Sequence, residues 1–377
     1  GHFTLSQETL PSINSSASCV VAEDYDKDGD LDLFIGGRIK PREYPSSPRS
    51  YILENTGGKF RDVTKKLSQS LEFPGMISSA LWLDVNKDGR PDLIMAGEWM
   101  PIRIFINSGG KFTEESTSYG LEHSNGWWNC LRAADINKDG YIDIVGGNTG
   151  RNSFFKPTLD HPIKITAADF DKNGSIDPIV TYYNEIERDR FIVHNRLVLI
   201  DQVPGFKKRF ETFQQYSITP FEKAFAKEEL EAVAEQVAYN LASIVLVNQG
   251  GQKFEKIPLP DIAQISTVND VLIDDLNNDS HADLIIVGNN YEQETLFGRY
   301  DASIGTVLEG DGKFNWREEP NRQCNFIVDK QVQEILSLNG PDTRRTFIVI
   351  NNNGPVQSFE LQNSITDTAG IAHSTQP

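Results

Sequence analysis

Five copies of one nine-residue pattern decide the fold of this chain, and the first reads Asp24-Tyr25-Asp26-Lys27-Asp28-Gly29-Asp30-Leu31-Asp32. Asp or Asn occupies positions 1, 3, 5 and 9 in every copy, and position 6 is Gly in all but the last. At positions 1, 3, 5, 6 and 9 the later copies read Asp84, Asn86, Asp88, Gly89, Asp92; Asp135, Asn137, Asp139, Gly140, Asp143; Asp169, Asp171, Asn173, Gly174, Asp177; and Asp275, Asn277, Asp279, Ser280, Asp283.

The pattern predicts a calcium loop. Ca²⁺ takes about six to eight oxygen ligands in irregular geometry, and side chains at alternating positions of a tight loop converge on one point. Gly at position 6 permits the sharp turn, so Ser280 makes the fifth copy the weakest candidate. The alternative is a metal-free polar turn, but clustered carboxylates repel one another without a cation. We expect up to five structural Ca²⁺ ions. Position 7 would add only its backbone carbonyl, from Asp30, Arg90, Tyr141, Ser175 and His281.

The flanks of the loops are strand-like rather than helical. An EF-hand needs a Glu at position 12, where this chain has Ile35, Met95, Gly146, Val180 and Ile286. Short β-branched runs such as Leu33–Gly37 and Leu93–Gly97 follow the loops and end at Gly. Each loop is therefore predicted to join two strands.

These units resemble FG-GAP or VCBS repeats, the calcium-bearing β-propeller blades of integrin α subunits and many bacterial surface proteins. The stretches Gly97–Pro101 and Gly126–Asn129 are similar to the large VCBS-repeat proteins of Bacteroidetes-type bacteria. They are also similar to the repeat region of the acidic cartilage protein family. The resemblance implies an all-β propeller fold with bound calcium, and it implies less about the task of the protein.

The spacing predicts a single propeller domain over residues 1–361 and a polar tail over 362–377. Units begin near residues 18, 78, 129, 162 and 268, and a sixth without a calcium loop begins near 331, so we expect six blades, or seven if the long gap hides one. Each unit should hold an inner strand, the loop, a second strand and an outer hairpin. Residues Phe3–Leu5 could complete the last blade. Two helices, about 203–216 and 220–240, are expected in an insertion over 184–243 in the fourth blade, the second beginning at a capping box, Thr219–Glu222.

The charge and hydropathy of the chain indicate which kinds of partner it can bind. The chain carries 54 acidic and 36 basic residues, a net charge of −18, which argues against nucleic-acid binding. No apolar run approaches the roughly 18 residues that span a bilayer. Low-affinity calcium loops suit millimolar calcium, so we expect an exported protein, at the cell surface, in the periplasm or outside the cell, and further domains could flank it.

No catalytic motif with specific spacing occurs in the sequence. Exposed aromatic residues at strand ends could contact a ligand, and the candidates are Trp99, Trp127 and Trp128 with the polar residues Glu98 and Arg132. We expect a non-enzymatic module that binds a protein or glycan through its loops. The alternatives are a glycan-active hydrolase or lyase with paired carboxylates in the funnel, sought first at Glu98 or Glu292, and a pure scaffold.

Overall fold

The chain is built mainly from short antiparallel strands. The computed structural model describes residues 2, 4–6, 9–230, 233–294, 297–340, 344–362 and 370–373. The strands, in chain order, are β1 Ser16–Glu23, β2 Asp32–Ile39, β3 Tyr51–Thr56, β4 Lys59–Asp62, β5 Met76–Leu83, β6 Asp92–Met100, β7 Arg103–Asn107, β8 Phe112–Glu114, β9 Gly126–Trp127, β10 Cys130–Ala134, β11 Asp143–Gly147, β12 Ile163–Ala168, β13 Asp177–Asn184, β14 Asp189–Ile192, β15 Ala234–Ala238, β16 Ile244–Asn248, β17 Phe254–Pro258, β18 Val268–Asp274, β19 Asp283–Gly288, β20 Thr306–Gly310, β21 Trp316–Glu319, β22 Val332–Asn339, β23 Arg345–Asn351, β24 Gln357–Gln362 and β25 Gly370–His373. The short helices are α1 Thr64–Leu67, α2 Arg196–Gln202, α3 Phe206–Arg209, α4 Phe213–Ile218, α5 Phe221–Ala224, α6 Lys227–Leu230 and α7 Asn321–Cys324, with 3-10 turns at Gln69–Leu71 and Asp261–Gln264.

The strands form six antiparallel sheets. Their orders are β1-β2-β3-β4, β5-β6-β7-β8 with β9 added to β6, β10-β11-β16-β17, β14-β13-β12-β15, β18-β19-β20-β21 and β22-β23-β24-β25. The second strands β6, β11 and β19 are buried along most of their length. Burial on both faces explains why the runs after the loops are continuously apolar instead of alternating.

Successive sheets pack face to face around their first strands. Strand β1 lies beside β5, β5 beside β10, β10 beside β18, and β18 beside β22. Separate apolar clusters fill the spaces between these sheets, for example Ile94 and Ile104 of the second sheet against Ile144 and Leu246 of the third. This arrangement is that of a β-propeller. Within the described part of the chain, no helix has the length and apolar character needed to cross a bilayer.

The fourth sheet departs from the expected order. The hairpin β16–β17, predicted as the outer part of the fourth unit, pairs with β11 and completes the third sheet. Strands β12 to β15 are therefore nested inside the third unit, between its second and third strands. Strand β15 packs against β6 and β9. The repeat spacing located the loop at Asp169 correctly but could not reveal that the pairing partner of β11 lies almost a hundred residues later.

The predicted helices are also corrected. The stretch 203–216 contains α3 and the start of α4, and 220–240 contains only α5 and α6, because 234–238 forms strand β15 beside β12. The expected capping box does not form. Glu222 pairs instead with Arg190 at 2.8 Å, and the Thr219 hydroxyl donates to the carbonyl oxygen of Gln215 at 2.6 Å. A nearby guanidinium outcompetes the backbone N–H for the Glu222 carboxylate.

The outer edge of the last sheet differs from expectation as well. Strand β25, from the predicted tail, pairs with β24, so the chain end and not Phe3–Leu5 supplies that strand. Phe3 itself lies outside the described residues. The beginning of the chain instead runs beside the first sheet, where the carbonyl oxygen of Thr9 accepts a hydrogen bond from the Phe60 backbone N–H at 2.9 Å.

Candidate functional site

The first Asp of each loop shapes the backbone of that loop. Asp24 Oδ1 accepts a hydrogen bond from the backbone N–H of Asp28, and Asp24 Oδ2 accepts one from Gly29, both at 3.1 Å. The bond from position 6 recurs in the other copies, at 2.8 Å from Gly89, 2.9 Å from Gly140 and Gly174, and 3.0 Å from Ser280. The loops therefore share one conformation.

Position 6 adopts a left-handed backbone even where glycine is absent. The angle φ is +98° at Gly29 and lies between +82° and +85° at Gly89, Gly140 and Gly174. Ser280 takes φ +70° in the fifth loop. Serine in place of glycine at position 6 therefore leaves the shape of the fifth loop intact, at a conformational cost that glycine would avoid.

The last Asp of each loop is buried, and in every loop except the fourth it also bonds to the outer hairpin. Asp92 Oδ1 accepts from the backbone N–H of Asn107 at 2.8 Å, and Oδ2 accepts from Val85 at 3.1 Å. Asp143 and Asp283 make the equivalent pairs of bonds. Burial, with a smaller contribution from like-charged neighbours, raises to about 6 the pKa values of Asp32, Asp92, Asp143 and Asp283.

Two of the loops bring three carboxylates together, and carboxylate oxygens are the donors that a hard divalent cation prefers. Carboxylate oxygens of Asp24, Asp26 and Asp28 lie within 4.8 Å of one another, and so do those of Asp169, Asp171 and Asp177. Among the described residues, the buried atoms Asp32 Oδ2 and Asp135 Oδ1 have no hydrogen-bond partner. A buried carboxylate oxygen without a partner is costly unless a cation compensates it, so the residues fit a cation such as Ca²⁺.

Binding of an ion by the backbone carbonyl at position 7 stays a prediction. Two of the side chains at this position make other contacts. The Arg90 guanidinium pairs with Asp88 at position 5 of its own loop. The ring of Tyr141 lies under the ammonium group of Lys87, 3.8 Å from the ring centroid. Because Lys87 belongs to the second loop and Tyr141 to the third, this contact joins neighbouring loops.

A cavity of about 260 Å³ lies at the end of the sheets opposite to the first, second, third and fifth loops. Several second strands end at this cavity. Arg38 lies near the end of β2, Glu98 and Trp99 lie near the end of β6, and Thr149 follows β11. The nested fourth sheet and the segments beside it complete the wall. The remaining lining residues are Tyr44, Trp127, Trp128, Asn129, Phe155, Val180, Val193, His194, Thr267, Asn290, Gln293, Glu294 and Phe297.

A backbone bulge positions Trp99 at this cavity. Glu98 pairs with Trp127 and Met100 with Gly126, so Trp99 is an extra residue in β6, with φ +60°. A left-handed conformation is strained for so large a side chain and re-aims it. The Trp99 indole N–H donates to the Tyr44 hydroxyl at 2.7 Å, and its ring meets Trp127 edge to face at 5.1 Å between centroids.

Glu98 is held by two partners beside these rings. Arg38 donates to Glu98 Oε2 at 2.8 Å, and the Tyr44 hydroxyl donates to Glu98 Oε1 at 2.7 Å. Both carboxylate oxygens are thus engaged within the protein. Burial, with the negative charge of Glu98, raises the pKa of Tyr44, which keeps its hydroxyl protonated as a donor.

Two predicted ligand residues have other positions than expected. Trp128 lines the cavity but is 1% exposed, packs in the core between the second and third sheets, and donates its indole N–H to the Ser124 carbonyl at 2.9 Å. Arg132 is not among the lining residues. It forms an ion pair with the buried Asp270 at 2.7 Å, which links β10 to β18. Trp128 lies in the connection between β9 and β10, whereas Arg132 lies within β10, beside β18.

His194 and Glu294 line the cavity although no motif in the chain points to them. His194 Nε2 accepts the Val180 backbone N–H at 3.2 Å, and its Nδ1 lies 3.7 Å from Glu294 Oε2. Burial lowers the pKa of His194, and Glu294 partly opposes that shift. Glu292, the other expected carboxylate, lies outside the cavity and accepts a 3.4 Å hydrogen bond from Asn352. No motif could identify His194, because the nested sheet brings it to the site.

Comparison with known proteins supports the resemblance of the repeats to FG-GAP-like repeats. Residues 84–146 match the family model of the FG-GAP-like repeat, which covers the second and third loops and the strands between them. The chain is thus an all-β protein of propeller type that contains an FG-GAP-like repeat. No curated protein matches it.

Three solved structures illustrate the range of similar chains. Saccharomyces cerevisiae Sqt1 is 13% identical, with a TM-score of 0.35, over 88% of this chain and 69% of Sqt1. The V. cholerae biofilm matrix protein Bap1 is 15% identical, with a TM-score of 0.29, over 96% of this chain and 51% of its own. The Streptococcus pneumoniae NanB sialidase is 11% identical, with a TM-score of 0.33, over 99% and 55%.

Proposed function

We propose that this protein is a calcium-stabilised, non-enzymatic β-propeller of an exported or cell-surface protein that binds a glycan or protein ligand. The observation that carries the proposal is the separation of two sites. The acidic loops of the first, second, third and fifth copies lie at one end of their sheets, and an aromatic cavity lies at the other end. The fourth loop belongs to the nested sheet, and its Ile176 backbone N–H donates to the Arg42 carbonyl oxygen at 2.9 Å. The first site has the chemistry of a structural cation site, and the second has that of a ligand pocket.

Calcium has a structural role in this proposal. Each loop joins two neighbouring strands of a sheet, and in all but the fourth the last Asp also bonds to the outer hairpin, so an ion there would fix three strands at once. Low affinity suffices where calcium is millimolar, which favours a location outside the cytoplasm. For the ring we propose five blades instead of the six or seven expected from the repeat spacing. They are the first, second, third, fifth and sixth sheets, and the fourth sheet covers one end. The support for this ring is the direct contact between β10 and β18.

The arrangement around Glu98 favours binding over catalysis. A glycosidase needs two carboxyl groups, one to protonate the leaving group and one to act as base or nucleophile. Glu98 and Glu294 both line the cavity, but Glu98 already accepts hydrogen bonds on both oxygens. These contacts hold the Glu98 side chain in place as part of the pocket lining.

Thermal melting with 2 mM Ca²⁺ and with excess chelator tests the calcium role. A ligand that binds only the native state raises stability with its concentration, so we expect a higher Tm with calcium. Asp24→Asn combined with Asp28→Asn should reduce the gain, whereas Asp160→Asn, outside the five loops, should not. Equal melting curves with calcium and chelator would contradict the proposal. Release of reducing sugar from glycans at stoichiometric enzyme would support the enzymatic alternative.

A further inference from the structure

Two buried polar atoms of the cavity wall lack partners. Within the described residues, neither the Trp127 indole Nε1 nor the Thr267 hydroxyl oxygen makes a hydrogen bond, although both atoms are buried. Both residues line the cavity. Buried donors are almost always paired in native proteins, so a group inside the cavity that accepts from Trp127 and pairs with Thr267 would account for both.

The cavity also offers acceptors and further donors on the same wall. The Glu294 carboxylate has no closer cationic neighbour among the described residues than His194, at 3.7 Å. Asn290 and Gln293 add amide groups that can donate and accept. A ligand complementary to this set must carry several groups that each donate and accept, which is the property of hydroxyl groups.

Aromatic rings supply an apolar face beside these polar groups. Trp99, Trp127, Phe155 and Phe297 belong to one apolar cluster, and Trp127 and Phe155 meet edge to face at 5.3 Å between centroids. Cavities that bury drug-sized ligands measure roughly 300–1,000 Å³, so 260 Å³ accommodates about one ring. A sugar ring combines an apolar C–H face with hydroxyl groups around its edge.

The charge of the wall selects among sugar rings. Arg38 and Glu98 neutralise each other at 2.8 Å, which leaves Glu294 as the unbalanced charge. A carboxylate or sulfate on the ligand would be repelled by Glu294 in this partly desolvated site. The wall therefore favours an uncharged ring over an acidic one.

We propose that the cavity binds a single uncharged pyranose ring, with Trp127 and Thr267 as hydrogen-bonding residues and Glu294 as acceptor. This inference rests on the proposed binding function and names its ligand class. A free monosaccharide and the terminal residue of a longer glycan present the same chemistry, and the experiment separates them.

Calorimetric titration of the full chain in calcium tests the proposal. The probes are methyl glycosides of glucose, galactose, mannose and fucose, a matched disaccharide of each hexose, and methyl glucuronide as the acidic comparison. Trp127→Phe removes the indole N–H and keeps an aromatic ring, and Thr267→Val removes the hydroxyl at nearly constant volume. Loss of one hydrogen bond should weaken binding about 3- to 10-fold in each variant. Trp316→Phe is the matched control, because Trp316 Nε1 also lacks a partner among the described residues but belongs to β21, outside the cavity.

The expected result is binding of at least one uncharged glycoside, weakened by both cavity variants and unchanged in Trp316→Phe. Binding of the disaccharide alone would identify the end of a glycan chain as the natural form. Preference for the glucuronide, equal binding by the cavity variants, or no binding of any glycoside would overturn the inference. None of these outcomes alters the calcium-dependent Tm, so failure of the ligand class is distinguishable from failure of the proposed function.

Discussion

The side-chain amide of Asn107 donates a hydrogen bond of 2.8 Å to the backbone carbonyl oxygen of Tyr25, which belongs to the acidic loop of the preceding sheet. Asn248 repeats this contact one sheet later, with the carbonyl of Val85 at 3.0 Å. Both asparagines end the third strand of their sheet, and both are almost fully buried. The acidic loops of the first three sheets are therefore connected through these two asparagines of the outer hairpins.

Asn107→Ala should destabilise the protein more than Asn55→Ala. Both asparagines bond within their own sheet, Asn107 to Pro91 at 3.1 Å and Asn55 to Leu31 at 3.1 Å, but only Asn107 reaches the preceding loop. Leaving the buried Tyr25 carbonyl unpaired should cost about 1–3 kcal/mol, whereas Asn55→Ala at its exposed site should cost less than ~1 kcal/mol. Urea unfolding in calcium measures both. Equal losses would mean that the contact between sheets contributes nothing.

The repeat pattern predicts an outer hairpin in each unit, but it predicts no role for these asparagines. The runs Asn55–Gly58, Asn107–Gly110 and Asn248–Gly251 were recognisable as hairpin turns, because glycine pairs have few other uses between two strands. Their role between sheets was not recognisable, since it depends on a partner in another unit. The loops themselves were predictable because their ligands lie within nine residues of sequence.

The cavity shows why the rest was not predictable. Trp99, Trp127 and Glu98 were candidates because aromatic and polar side chains at strand ends can contact a ligand, and all three line the cavity. His194 reaches it only because β12 to β15 are nested within the third unit, whereas Glu294 reaches it from the connection between β19 and β20. Non-local pairing of this kind leaves no periodic trace in the sequence, so local spacing assigned the hairpin β16–β17 to the wrong sheet.

Ser280→Gly should stabilise the fifth loop, and Gly29→Ser should weaken the first. Ser280 holds φ +70°, a conformation that costs a non-glycine residue roughly 1–2 kcal/mol. Glycine recovers this cost but adds freedom to the unfolded chain, so we expect a net gain of about 0.5–1 kcal/mol. A Cβ at Gly29 meets no atom within 4 Å, so the reciprocal change tests the same backbone term without a clash. Chelated protein in urea gives both values, and shifts of the same sign would contradict the explanation.

Arg132→Met should lower stability and leave ligand binding unchanged. Asp270 is 1% exposed and accepts the Arg132 guanidinium at 2.7 Å and the Ile335 backbone N–H at 3.0 Å, so it links the third, fifth and sixth sheets. Removing Arg132 leaves a buried carboxylate without its cation, at a cost of about 2–3 kcal/mol, since solvent reaches the arginine side. Adding Asp270→Asn should recover part of the loss. Weaker glycoside binding at unchanged Tm would instead return Arg132 to the ligand site.

Stability of the nested sheet should fall as the pH drops below about 6.5, through His194. Burial lowers the pKa of this histidine below its unfolded value of roughly 6.5, so the unfolded state binds more protons than the native state in that range. The native state therefore loses relative stability as the pH falls, and the loss is absent above pH 7, where both states are neutral. Protonation would place a proton on Nε2, which now accepts the Val180 N–H, while the nearby Glu294 limits the effect.

His194→Gln keeps an acceptor without a titrating group, so the Tm difference between wild type and variant, at constant calcium, should shift in favour of the variant from pH 7.5 to pH 5.5. A constant difference over this range would show that His194 does not titrate between the two states.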